Sequence, residues 1–320
     1  MKGPGLFIGH FVRPAPPFDT LEGVARWAAG HGFGGLELPV HDPRILDMTL
    51  AAESATYAQE VTGRLAEFGL QITGFCAHRT AFQLARHEAY APADVGGATG
   101  EAAAAKLRQM ALACRNLGPE VRCGVVSGAL AFPWLIPWPV RDPARIADAF
   151  LEAGRRWKPV LDFYDEQGVD LCFEPHPGCD VHDGTTFERF FEIVGRHPRC
   201  RMLFDPSHLL LQQMDIPGFA ARYAPHIAAF HVKDAEFLPD ARSGLFGGFL
   251  MGPARPAHYR AVGRGQIDFL AVFAALHAGG YTGWAMLEWE DPSINAETAA
   301  SEGAAFIRRQ LAALNPPPRA

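Results

Sequence analysis

Four short apolar runs in the second half of this chain each end on a side chain able to bind a metal ion. Leu171-Cys172-Phe173 ends on Glu174, and Met202-Leu203-Phe204 ends on Asp205, with His208 three residues later. Ile227-Ala228-Ala229-Phe230 ends on His231, and Trp284-Ala285-Met286-Leu287 on Glu288. Apolar runs of this length read as parallel strands buried on both faces, and each polar residue stands where its strand emerges. In a parallel α/β barrel the C-terminal strand ends converge on one face, so residues far apart in the chain meet there. Buried charges gathered at one place repel one another or sit desolvated unless a cation joins them, so four such ends in succession are hard to explain as structure alone.

The whole chain keeps the rhythm of a (β/α)8 barrel. Strands are expected at Leu6 to His10, Gly35 to Leu38, Gln71 to Ala77, Arg122 to Ser127, Asp170 to Glu174, Arg201 to Asp205, Ile227 to His231 and Trp284 to Glu288. Segments of helical period fit between them: Leu21 to Ala29, Ala51 to Phe68, Glu101 to Leu117, Pro143 to Gln167, Thr186 to Val194, Phe219 to Tyr223, Phe269 to Ala278 and Ala296 to Leu314. Gly30, Gly118, Gly168 and Gly279 fall where helices should stop, the usual place for a residue able to adopt φ > 0. An open doubly wound sheet would also alternate. However, no GxGxxG follows the first strand, and the polar tips all lie on one set of strand ends.

At 320 residues and 48% hydrophobic content, the chain can fill one large core, and a single domain is expected over residues 1–320. The tail Asn315 to Ala320, with three prolines, cannot continue a helix and is expected to be mobile. Three connections exceed plain turns: His78 to Gly100, Gly128 to Asp142 with Trp134, Pro137, Trp138 and Pro139, and Asp234 to Gly265. All three follow strands on the catalytic face, as binding loops do, and the tryptophans suit either sugar stacking or plain packing.

The formal net charge of −6 argues against a nucleic-acid partner, since phosphate binding relies on Lys and Arg. The six cysteines form no CxxC pair and read as reduced core thiols. The start Met1-Lys2-Gly3-Pro4-Gly5 lacks the features of a secretory leader, and no stretch is long enough to span a bilayer. A cytoplasmic protein without a membrane partner is therefore expected.

Three carboxylates and one imidazole make a hard, oxygen-rich donor set. It favours Mn²⁺ or Mg²⁺ over a sulfur-rich structural zinc site, with Mn²⁺ first and Co²⁺ or Zn²⁺ also compatible. Taken singly, each residue has a structural explanation. Glu174, before Pro175, suits a cap on the next turn, and His208 suits a satisfied core histidine.

Several segments resemble the xylose-isomerase-like barrel superfamily, in particular the sugar isomerase and epimerase branch with its ketose 3-epimerases and inosose dehydratases. They are Phe173-Glu174-Pro175-His176, Phe204-Asp205-Pro206-Ser207-His208, Phe230-His231-Val232-Lys233-Asp234, Gly263-Arg264-Gly265-Gln266-Ile267-Asp268-Phe269, and Gly280-Tyr281-Thr282-Gly283-Trp284 leading to Leu287-Glu288-Trp289-Glu290-Asp291. The first half resembles the family in its βα rhythm and in tips such as Glu37 and His78.

The resemblance implies one divalent metal held by Glu174, Asp205, His231 and Glu288, with Glu174 and Glu288 flanking a sugar substrate as acid and base. A cation chelated by a carbonyl and its neighbouring hydroxyl acidifies the α-proton by stabilising the developing enediolate, and two carboxylates on opposite faces can then invert the centre. His208 would bind a substrate oxygen or orient Asp205. Lys233 would polarise a carbonyl, protonate a leaving hydroxyl, or neutralise Asp234 or the carboxylate cluster. His176 would tune specificity, His78 would contact substrate, and Arg260 and Arg264 are candidates for a substrate oxygen or acidic group. Glu290 and Asp291 also suit solvated loop charges. A homo-oligomer is the family habit.

The implied activity is an isomerase or epimerase acting on a ketose or keto-sugar. The alternative is a lyase or dehydratase on a keto-inositol or 3-keto-glycoside, which shares the first proton abstraction. The endonuclease branch, with several zinc ions, fits poorly: strand four ends in Ser127-Gly128-Ala129 without a glutamate, and no Asp-x-His pair follows His231.

Overall fold

The computed structural model describes residues 1–90, 100–135, 142–245 and 254–314. Its strands are β1 (Lys2–Phe7), β2 (Gly35–Pro39), β3 (Gln71–Cys76), β4 (Arg122–Val125), β5 (Leu171–Phe173), β6 (Cys200–Phe204), β7 (Ile227–Val232), β8 (Asp234–Phe237), β9 (Ala257–Arg260) and β10 (Trp284–Leu287). The helices are α1 (Leu21–Gly30), α2 (Met48–Glu53), α3 (Ala55–Ala66), α4 (His78–Leu84), α5 (Glu101–Leu117), α6 (Pro143–Gln167), α7 (Gly184–Ile193), α8 (Pro206–Leu210), α9 (Ile216–Tyr223), α10 (Phe269–Ala278) and α11 (Ala296–Leu314).

Eight strands close into a barrel in the order β1-β10-β7-β6-β5-β4-β3-β2, with β2–β1, β1–β10, β10–β7, β3–β4, β4–β5 and β5–β6 paired in parallel. Each expected strand is present. The first lies earlier in the chain than expected, because Gly3, Pro4 and Gly5 already form part of β1.

The helix expected over Ala51 to Phe68 is two helices. Ser54 is extended (φ −126°, ψ 107°), ends α2, and caps α3 by accepting the Tyr57 N–H. A serine whose hydroxyl can bind nearby backbone breaks an otherwise helical period in this way. Gly168 does adopt the left-handed conformation beyond α6 (φ 72°). Gly279 does not (φ −76°), and the left-handed turn comes at Gly280 instead (φ 79°).

The described chain divides into two compact units. One contains Met1–Glu37, Phe68–Gln71 and the chain from Phe204 onward. Its core includes the rings of Phe11, Phe18 and Trp27 and, around β7, Phe204, Phe219, Phe230 and Phe273. The other contains Leu38–Glu67 and Ile72–Leu203. Here Trp157 of α6 packs edge-on against Phe173 and donates its indole N–H to the Ser127 carbonyl at 2.8 Å. The six cysteines are free thiols, five of them buried.

Each long connection has some order. The first carries α4, the second a 3-10 turn at Phe132–Trp134, and the third the antiparallel β8–β9 hairpin. Trp134 lies edge-on to His87 and under the Arg145 guanidinium, which supports its packing role. Pro137, Trp138, Pro139 and the tail Asn315 to Ala320 lie outside the described residues. Among the described residues no helix is long and apolar enough to cross a membrane.

Candidate metal centre

In the unit built on β1, β7 and β10, the strand ends converge on a buried polar group. Asp205 leaves β6 as the N-cap of α8, its Oδ1 accepting the Ser207 N–H at 2.8 Å and its Oδ2 lying 3.0 Å from Lys233 Nζ. His231 and Lys233 are two residues apart on one extended segment, so they share a side of it. Lys233 Nζ also lies 3.1 Å from Glu288 Oε2 and 3.6 Å from Glu290 Oε2. His231 Nε2 meets Glu37 Oε2 at 2.8 Å, while Nδ1 faces Glu288 Oε2 at 2.7 Å. Asp205, His231 and Glu288 each offer a ligand atom within 4.8 Å of the others. All three, with Glu37 and Lys233, are at least 95% buried.

Burial opposes charge on every group here, and their partners overcome it. Desolvation pushes His231 down, but Glu37 and Glu288 carry it well above the usual imidazole range. Desolvation likewise works against Lys233, and Asp205, Glu288 and Glu290 hold it firmly protonated. Glu288, despite its burial, is kept well below the carboxylate range by Lys233 and His231. His208 is the opposite case, since burial brings it down to about 4.

The donor set fits a divalent cation. Glu37, Asp205 and Glu288 are three buried carboxylates, and Lys233 pairs with the last two, so with His231 neutral the cluster keeps a negative charge that a cation would balance. The Glu37 contact fixes His231 with Nε2 engaged and Nδ1 turned toward the other donors, the usual way an outer carboxylate orients a metal-binding histidine. Glu37, which the sequence reading counts as a strand tip without a role, lies inside β2.

Glu174 stands in the other unit, directly after β5, where its backbone N–H donates to the Val125 carbonyl at 2.8 Å. It is 1% exposed, and His78 Nε2, at the start of α4, approaches its Oε2 at 3.5 Å. The His78 and His176 rings meet edge-on at 6.4 Å, with His176 Nδ1 2.8 Å from the Pro177 carbonyl. These three sequence candidates therefore lie near one another.

Two sequence alternatives are corrected, those for Lys233 and Asp291. Lys233 does not neutralise Asp234, whose carboxylate instead accepts the backbone N–H groups of Ala235, Gly263, Gly265 and Ile267. Asp291 is no solvated loop charge; it is buried and accepts from Ala261 N and Ser293. Arg264 is engaged by Glu302 of α11 through three contacts of 2.9 to 3.1 Å. Arg260 lies 3.5 Å from Glu236 and 3.6 Å from Asp291.

Residues 25–310 match the family model described as "Xylose isomerase-like TIM barrel". The chain belongs to this family. Within it, the inosose dehydratase of Serratia proteamaculans is 28% identical over 151 residues, 43% of this chain and 49% of that protein. The chain spans about half the length of the curated relatives it matches. The fold also matches the Escherichia coli 3-keto-D-glucoside 4-epimerase YcjR, with a TM-score of 0.65 at 14% identity, over 95% of this chain and 98% of that one. A xylose isomerase-like TIM barrel protein of Mycobacterium smegmatis, solved in complex with magnesium, has a TM-score of 0.64 at 20% identity, over 97% and 96% of the two chains. A dehydratase is thus similar to this chain in sequence, and an epimerase shares its fold.

Proposed function

We propose that this protein is a divalent-metal-dependent sugar isomerase or epimerase, acting on a ketose or keto-sugar by proton transfer beside the carbonyl. The observation that carries the reading is the buried set Asp205, His231 and Glu288, with Glu37 behind the histidine and Lys233 between the two carboxylates. Glu174 is the proposed fourth ligand, a grouping supported by the closed barrel and by its donor type. Mn²⁺ is the proposed ion.

The cation, when bound, supplies Lewis-acid polarisation of the substrate carbonyl. The side chains do the rest. Glu288, held ionised by Lys233 and His231, is the proposed base, and Glu174 is its proposed counterpart on the other face of the substrate. His208, neutral at ordinary pH, is the proposed contact for a substrate oxygen, while His78 and His176 border Glu174.

A second reading, a dehydratase on a keto-inositol or 3-keto-glycoside, is favoured by one feature. The Lys233 ammonium lies beside Glu288 and is the proposed proton donor to a leaving oxygen, and the match to inosose dehydratases supports that use. Proton NMR in D₂O of the Mg²⁺- and Mn²⁺-supplemented protein with ketoses, inososes and 3-keto-glycosides separates the two. Deuterium uptake with a new epimer or isomer is expected, whereas uptake with loss of water or aglycone makes the protein a lyase. Glu174→Gln is expected to abolish α-proton exchange while the fold survives; retained exchange removes Glu174 from the base role.

A further inference from the structure

The N-terminal ends of β4, β5 and β6 carry arginines that the metal centre does not use. Phe173 packs on Trp157 of α6 and Phe190 of α7, so it faces the helices, and its neighbour Cys172 faces the barrel interior. Parallel pairing sets Cys172 between Gly124 of β4 and Arg201 of β6, which gives Arg201 the inner side as well. Arg122, two residues before Gly124, shares that side one level lower. The Cys172 thiol reports the same neighbours: burial and then Asp170 push it well up, while Arg122 and Arg201 draw it back.

The lower level is paired. Asp170 lies 3.6 Å from Arg122 Nε and 3.2 Å from Arg199 Nη1, and Arg199 Nε donates to Asp165 at 2.9 Å. Arg201 is different, because its Nε is buried without a hydrogen-bond partner among the described residues. Arg122 Nε is buried too, and its 3.6 Å approach to Asp170 is too long for a hydrogen bond. Two buried N–H donors on one wall therefore lack an acceptor, and leaving such a charged donor unsatisfied is costly. The register places a cysteine and then a glycine beside Arg201, so no large side chain fills the space there. Solvent reaches this end, since the Arg122 and Asp170 side chains are 32% and 22% exposed.

We propose that Arg201 and Arg122 hold a small oxyanion of the phosphate class at a site built wholly from β4, β5 and β6. The planar guanidinium suits paired oxygens, and such an anion would supply the acceptors that both Nε–H groups lack. Bound there, it would tie β4 to β6 across the strand that leads into Glu174. The site does not rest on the proposed reaction.

Calorimetric titration of the full chain with inorganic phosphate, at fixed ionic strength and with chloride as the control, tests the site. One phosphate per chain is expected, with no matching signal from chloride. Arg201→Gln should weaken phosphate binding by about 10- to 100-fold, the equivalent of a charge-assisted hydrogen bond. Arg201→Lys keeps the charge but loses the fork, and intermediate affinity is expected. Hydrogen exchange locates the anion: phosphate should slow amide exchange in β4, β5 and β6, and the protection should vanish in Arg201→Gln. Glycerol phosphate separates the two sources of this chemistry. Weaker binding than phosphate is expected and marks a site for the free anion, whereas equal binding would assign the same site to phosphorylated small molecules. No phosphate binding by the unaltered chain, binding that chloride reproduces, or protection confined to other strands would overturn the proposal, whether or not the variants fold. Unchanged affinity in a folded Arg201→Gln would do the same.

Discussion

Glu37→Gln offers a sharp test of the metal centre, because it changes one atom and leaves every proposed ligand in place. The Glu37 carboxylate meets His231 Nε2 at 2.8 Å and is 5% exposed. Glutamine can still accept that hydrogen bond through its amide oxygen, but the bond loses its charge assistance. Hydrogen bonds to charged groups contribute about 1.5–3 kcal/mol against about 0.5–1.5 for neutral pairs, so roughly 1–1.5 kcal/mol is lost from orientation alone. The imidazole also becomes a weaker electron donor. Changes to such outer partners typically cost about 10–100-fold in metal affinity, and tenfold corresponds to about 1.4 kcal/mol, so the two routes agree near a tenfold loss. Calorimetric titration of chelator-treated protein with Mn²⁺ and with Mg²⁺ measures it directly. Glu37→Gln is expected to bind each ion about tenfold more weakly with stoichiometry unchanged. Affinity within twofold of the unaltered protein, with the fold intact, would show that His231 needs no carboxylate behind it and would sink the ligand assignment built on its Nδ1.

Other outcomes follow from the same geometry. Adding metal should stabilise the fold, by about 2.7 kcal/mol at a concentration of 100 Kd, and a chelator should reverse the gain; thermal melts with and without chelator check this. Metal affinity should weaken in acid, because Glu37 and Glu288 favour the protonated form of His231 and a bound ion must displace that proton; titrations across pH 6 to 8 read the trend. Asp180→Asn should cost about 1–3 kcal/mol in denaturant unfolding, since its carboxylate accepts the N–H groups of Leu130, Ala131 and Phe132 and an amide nitrogen cannot. Burial raises Asp180 itself to about 6, opposed by those N–H groups. Because that lies above the unfolded value of about 3.9, its contribution is fully present below the unfolded value and is lost as pH rises through about 6; the pH dependence of stability should lose this component in the asparagine variant.

The barrel was legible because strands buried on both faces leave unbroken apolar runs, and β5, β10 and the C-terminal end of β6 are of that kind. The short elements were not. Helices α4 and α8 begin directly after strand ends and span seven and five residues, too few for a period to emerge. The strands β8 and β9 are four residues each and partly exposed, so the hairpin looked like one long loop. At the site, strand ends located the ligands but not their partners. Glu37 was counted as a strand tip but given no role, because its partner His231 is distant in the chain, and Lys233 was offered its neighbour Asp234 as a partner, although successive residues of an extended chain point to opposite sides. Lys233 turns with His231 toward Asp205 and Glu288, while Asp234 turns to the backbone of the returning loop.

That placement makes Lys233 the residue on which the two proposed reactions part. Its ammonium is 2% exposed and lies 3.0 Å from Asp205 and 3.1 Å from Glu288. Lys233→Met leaves both carboxylates facing one another, and breaking a buried pair in this way costs about 3–5 kcal/mol, so the variant should fold best with Mg²⁺ present. If Lys233 only balances charge around Glu288, as the epimerase reading has it, then α-proton exchange and product formation should fall by the same factor, because both pass through the same carboxylate. If Lys233 protonates a leaving oxygen, exchange should persist while elimination stops, since the proton is still removed but the oxygen cannot depart. Equal loss is the expected result. Exchange that outlives product formation would transfer the protein to the dehydratases.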